Sequence, residues 1–242
     1  VGFAVAIILF EGGMNLRISR IMRERNAIRG LITIGALCTL VGGTLITIIF
    51  LGWDFRTSIL FGTLIIVTGP TVITPLLKRI RAHHGVSTIL EAEGILLDAI
   101  GAIIAVVALE IAISPSGLSF VKGFYHIISR LAIGGILGVT GGFLLTVLFR
   151  FRTLIPNGLE NVFILSWVIA LFQISNTISP ESGIAAVTIA GMTIGNSKTY
   201  IQQDLLEFKE QLTVLMIGML FILLSADVRI EQIYNLGYSG LL

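Results

Sequence analysis

The sequence predicts an all-α fold, a polytopic bundle of membrane helices in which one helix is discontinuous. Three observations carry this prediction. Of 242 residues, 55% are hydrophobic and 12% charged, and the mean hydropathy is +0.98. Soluble domains are about 25% charged, so a water-soluble protein of this composition would lack a polar surface. Apolar runs close to the roughly 20 residues that cross a bilayer recur along the whole chain. One of these runs is interrupted at its centre by Thr68-Gly69-Pro70.

Hydropathy places eight membrane-embedded segments. The first runs from Val1 to about Leu16 and stops at Arg17. The second and third cover about 29–51 and 57–77, the fourth about 88–113, and the fifth about 124–149. The sixth covers about 160–178, the short glycine-rich seventh about 182–196, and the eighth about 209–226. No soluble domain fits between them, so residues 1–242 read as part of one membrane domain. The chain opens on Val1 inside an apolar run and closes on Leu242 without a clear terminus. That reads as an internal piece, with flanking helices missing on both sides.

Orientation follows from the basic residues of the connections. One alternate set holds Arg17, Arg20, Arg23, Arg25, Arg29, Lys78, Arg79, Arg81, Arg150, Arg152, Lys198 and Lys209. The other holds only Arg56, Lys122, Arg130 and Arg229. The richer set faces the cytoplasm, so the first segment runs out-to-in and the eighth in-to-out. These charges serve topology and lipid headgroups; no nucleic-acid partner is expected.

The third segment contains Thr68-Gly69-Pro70, with Pro75 further on. Proline removes a backbone donor and clashes with the preceding turn. A broken helix at membrane depth is tolerated where it is buried in protein or lines a cavity, and its freed carbonyls, hydroxyls and helix ends can bind ions.

The fourth segment carries Asp98 about ten residues in, which at ~1.5 Å per residue is ~15 Å deep, near the midplane. A bare carboxylate at that depth costs at least ~2.5 kcal/mol, so Asp98 must meet water, a partner charge, a proton or a cation. A proton and a cation exclude one another on the same group. Glu91, Gly94, Asp98 and Ala102 share one face of this helix, small and acidic, whereas Glu93 turns elsewhere. Glu91 and Glu93 lie near the cytoplasmic end, where they could also snorkel. Glu110 lies near the outer end, in the interface.

Other positions are less specific. Glu11, ahead of Gly12 and Gly13, is either an ion ligand or a helix-orienting acceptor. Gly134, Gly138 and Gly142 form a small-residue stripe that suits either a subunit interface or packing within the chain. The seventh segment, rich in small residues and threonine, suits a core helix. His83 and His84 follow Arg81 as a solvated loop pair. The lone Cys38 allows no intramolecular disulfide. There is no zinc spacing, CxxC or phosphate loop, and no cofactor is expected.

Together these motifs resemble the monovalent cation–proton antiporters, in particular the sodium/proton exchanger branch. The resemblance runs through essentially the whole chain. It rests on Phe10-Glu-Gly-Gly-Met-Asn-Leu, Thr68-Gly-Pro, Glu91-Ala-Glu-Gly-Ile-Leu-Leu-Asp98, Gly183 through Asn196, and Phe208-Lys-Glu. It implies a sodium/proton antiporter-like fold of about a dozen helices, present here in part. It also implies a homodimer whose core moves against a dimerisation domain, in a bacterial inner (plasma) membrane. Asp98 matches the family's ion- and proton-binding aspartate, Thr68 its broken-helix ligand and Glu11 its early acidic residue, the three expected to hold the metal cation. Glu91 matches a glutamate that pairs with a basic residue on a later helix. The chain departs from the family at Leu97, where asparagine is usual, at Gly69, where an acid is usual, and at Gly94, often serine. The site has thus lost an amide, a carboxylate and a hydroxyl, with Pro70 retained.

The expected function is secondary antiport of a monovalent cation against protons at Asp98, electroneutral, with sodium ahead of potassium. An intramembrane aspartyl enzyme would need two carboxylates at one depth, and Glu11, Glu91 and Glu110 lie away from the midplane. A channel or sensor on the same fold is the third class.

Overall fold

The computed structural model describes residues 2–68, 76–77, 80, 83–113, 120–150, 159–197 and 204–227. Among these residues all regular structure is helical. In chain order the helices are α1 Gly2–Asn15, α2 Ile18–Arg23, α3 Arg25–Leu51, α4 Phe55–Leu64, α5 His84–Ile113, α6 Phe120–Arg150, α7 Glu160–Ile178, α8 Ser182–Gly195 and α9 Asp204–Asp227. By length and composition α3, α5, α7 and the part of α6 from Gly123 are able to cross a membrane, and α1 and α8 are shorter apolar helices.

Local chemistry sets several of these boundaries. Two π-helical turns, Leu31–Gly35 and Thr47–Leu51, interrupt α3. At the second, Thr47 Oγ1 donates to the carbonyls of Gly43 and Thr44 at 3.1 and 3.0 Å, a hydroxyl competing with the helical ladder. Gly52 then closes the helix at φ +63°, a left-handed conformation that glycine adopts without a Cβ clash. Asp54 starts α4: its carboxylate accepts from the Arg56 and Thr57 amides at 3.1 and 3.3 Å and from the Thr57 hydroxyl at 2.6 Å. The Thr57 hydroxyl foremost, then the amides, hold the Asp54 carboxyl below the usual aspartate range.

The helices form two groups. In the first, α8 is the centre, packed by α6, α1 and α7. Its sequence allows this because small residues cover most of it, and Ser182 through Thr188, Ala190, Gly191 and Gly195 are all buried. The glycine stripe of α6 is spent here. A Cβ added at Gly134, Gly138 or Gly142 would lie 2.5, 2.5 and 2.9 Å from the carbonyl oxygens of Ser182, Ala186 and Ala190. The stripe therefore serves packing within the chain. On the other side Gly13 meets the Thr188 carbonyl, and Gly191 and Gly195 meet those of Phe10 and Met14. Asn196 clamps that end, accepting from the Ile18 amide at 2.8 Å and donating to the Leu16 and Met192 carbonyls at 2.8 and 2.7 Å. Leu9, Phe10, Val168, Phe172, Ile184 and Val187 fill the core of this group.

In the second group α4 packs between α3 and α5. The Gly43–Gly62 crossing lets α3 and α4 approach closely: a Cβ on Gly62 would meet the Leu40 carbonyl at 2.6 Å. Cys38 is exposed on α3.

Arg130, counted above with the outer connections, lies ten residues into α6 and is buried. Its Nη2 donates to Glu110 Oε1 of α5 at 2.7 Å, while its Nη1 has no partner among the described residues. A charge this deep is stable only when paired, and Glu110, taken as interfacial, supplies the pair. It links the two helix groups.

Candidate functional site

Asp98 stands at the middle of α5, half-buried, with Leu97 and Ala99 beside it turned into the protein at 4% and 5% exposure. Gly94, one turn earlier, is buried; Glu91 and Ala102 on the Asp98 face are half-buried. Among the described residues the Asp98 carboxylate has no hydrogen-bond or ion-pair partner.

The broken helix meets α5 at this level. The α4 ladder ends with Ile65 donating to Phe61 and Val67 to Leu64, and the backbone at Val67 and Thr68 is no longer helical. Gly69 and Pro70 lie outside the described residues. Val67 sits where a Cβ on Gly101 would be, 2.7 Å from its Cγ2. Glycine one turn beyond Asp98 is what lets the frayed end of α4 lie against α5. Thr68 Oγ1 then donates to Glu93 Oε1 at 2.8 Å. With its proton committed there, the hydroxyl offers only lone pairs elsewhere, the orientation a cation ligand requires.

Glu93 was turned away from the Asp98 face by single-helix geometry, yet it holds the threonine of the broken helix. A second acid in a membrane segment, facing a neighbouring segment that carries a hydroxyl at its break, was the signal available. Glu11 is half-buried near the end of α1, and the next residue, Gly12, packs on Ile95 of α5, where a Cβ would lie 3.2 Å from Cγ1. Thus α1 and the end of α4 both reach α5 within a turn or so of Asp98. Among the described residues no three His, Cys, Asp or Glu side chains cluster closely enough to hold a metal ion. A cation here would rely on one carboxylate with hydroxyl, backbone or water oxygens.

Comparison with known proteins gives consistent matches. The model of the family described as sodium/hydrogen exchanger, transmembrane, matches residues 1–240. A K(+)/H(+) antiporter, NhaP2 of Shewanella oneidensis, is 30% identical over 234 residues, covering 91% of this chain and 38% of that protein. A Na(+)/H(+) antiporter, NhaS2 of Synechocystis, is 25% identical over 232 residues, covering 93% and 42%. The chain thus spans well under half the length of these relatives. The solved structure of the sodium proton antiporter MjNhaP1 from Methanocaldococcus jannaschii superposes with a TM-score of 0.80 at 22% identity, over 96% of this chain and 58% of that one. The fold is shared with that antiporter.

Proposed function

This chain belongs to the sodium/hydrogen exchanger family, and from that premise we propose that it forms part of a secondary antiporter in which Asp98 binds a monovalent cation and a proton in turn. The observation that carries the reading is a carboxylate at the middle of an apolar helix that has no partner among the described residues, with the end of α4 near it and the Thr68 hydroxyl there donating its proton to Glu93. Such a carboxylate is tolerated where water, a proton or a cation meets it. Whichever of the two ions it takes excludes the other, and that competition is the coupling. Asp98, Thr68 and Glu11 are the proposed ligands. Glu93 orients Thr68; Gly94 and Leu97 shape the space; and Glu91 belongs to the support of α5.

For the ion, the proposal takes potassium ahead of sodium. The Shewanella relatives carry potassium in their names. Leu97 and Gly94 leave few fixed oxygens to replace the tightly held water of sodium, and the larger, more weakly hydrated ion asks less of such a site. A homodimer and a bacterial plasma membrane remain part of the proposal by family analogy. An aspartyl enzyme is disfavoured, because Glu93, five residues before Asp98 on α5, is engaged by Thr68.

The test is dissipation of a pH gradient in proteoliposomes holding the whole protein. The proposal expects saturable proton movement driven by potassium and, more weakly, by sodium. No cation-driven movement with potassium, sodium or lithium would sink it.

A further inference from the structure

The stretch joining the two helix groups, from the end of α1 to the start of α3, carries Arg17, Arg20, Arg23, Arg25 and Arg29. All five are exposed, against a single half-buried acid, Glu24. Among the described residues none of the five guanidiniums has a hydrogen-bond or ion-pair partner. A chain with only sixteen basic residues has thus placed nearly a third of them, unpaired, on one short surface. Ile18 and Met22, one turn apart on α2, are 45% and 59% exposed. The inner side of the same segment is built differently: Leu16 and Ile28 are buried against Ala92 and Ile95 of α5, with Ile21 packed on them. The segment therefore rests on α5 around Glu93 and Gly94 and turns its charge outward.

We propose that this segment is a binding surface for anionic glycerophospholipid headgroups of the leaflet on the basic side of the membrane. Basic residues next to a spanning helix are attracted to anionic lipid, each by about fivefold in affinity. Exposed Ile18 and Met22 supply the apolar contact that a headgroup–acyl boundary offers and a free phosphate does not. Planar guanidiniums bind phosphate oxygens in a two-pronged fashion. A lipid held here braces the connection between the helix groups and the part of α5 that leads to Asp98.

The experiment is lipid retention by the purified intact protein in detergent, titrated with phosphatidylglycerol or phosphatidylcholine and read by native mass spectrometry. Wild type is expected to prefer phosphatidylglycerol. The pair Arg20→Gln and Arg23→Gln lowers that affinity by roughly 25-fold, and Arg20→Lys with Arg23→Lys keeps most of it. Arg56→Gln, which removes an exposed charge at the opposite end of α3, leaves the preference intact. Equal retention of both lipids by wild type overturns the proposal. So does a preference that survives in the double glutamine variant, or one lost equally in Arg56→Gln. Because transport is not read, failure of the antiport reading would leave this result standing.

Discussion

The hydroxyl of Thr68, at the broken end of α4, donates a 2.8 Å hydrogen bond to Glu93 Oε1 on α5. This contact divides two acids on one helix. Glu93 is occupied by a neutral donor, whereas Asp98, five residues on, has no partner among the described residues. On the proposed reading the site is an asymmetric pair, in which Glu93 positions a ligand and Asp98 binds the ion.

The first consequence concerns cation affinity. Thr68→Val removes the donor and the ligand together and should raise the half-saturating cation concentration about tenfold, the low end of what a hydrogen bond to a charged group is worth. Glu93→Ala should act through the same contact, so the double variant should lose little more than the worse single one. Fully additive losses would mean that the two residues act independently. The cation-concentration dependence of gradient dissipation reads both.

The α6–α8 contact predicts a difference between neighbouring glycines. Gly138→Ala puts a Cβ 2.5 Å from the Ala186 carbonyl, while Gly135→Ala meets only Ile189 Cδ1 at 3.7 Å. Overpacking costs about 1–3 kcal/mol, so Gly138→Ala should melt several degrees lower in detergent, with Gly135→Ala close to wild type. Equal melting would show that the helices have room to separate.

The ion pair between α5 and α6 should also respond unequally. The Arg130 side chain is 5% exposed and that of Glu110 41%. Glu110→Gln strands a buried charge and should cost about 3–5 kcal/mol, whereas Arg130→Met leaves an acid with access to its surroundings and should cost less. Thermal melting of the two variants decides it, and the reverse order would argue against the pair as described.

Asp54 lies outside the spans and caps α4. Its carboxyl is held below the ordinary aspartate value, so its contribution is complete above about pH 4 and fades as pH falls through the depressed folded value. Asp54→Ala should therefore melt below wild type at neutral pH, and the gap should close in acid. A gap independent of pH would remove the carboxylate from the explanation.

Much of this was legible in the sequence, because the bilayer reduces the problem to length and hydropathy. The run around 160–178 emerges as α7 Glu160–Ile178, and the small-residue run after Ser182 emerges as the buried α8. The break near Thr68 was legible because glycine and proline act locally; in the structure α4 already ends at Leu64. What escaped depends on pairs of helices. The choice between a subunit face and internal packing for Gly134, Gly138 and Gly142 needs the position of α8. The pairing of Arg130 with Glu110 needs two helices in register. The role of Glu93 was hidden because helical periodicity describes one face of one helix, and its partner sits on another. The π-helical turns of α3 leave no pattern in hydropathy at all.

Asp98 is the residue on which the proposed exchange depends. The most direct measurement is cation-driven proton movement by Asp98→Asn in proteoliposomes, beside a wild-type control of matched folding and incorporation. Asparagine keeps the size and loses the charge, so the account predicts that exchange is abolished for potassium, sodium and lithium alike. Exchange at the wild-type rate would contradict it.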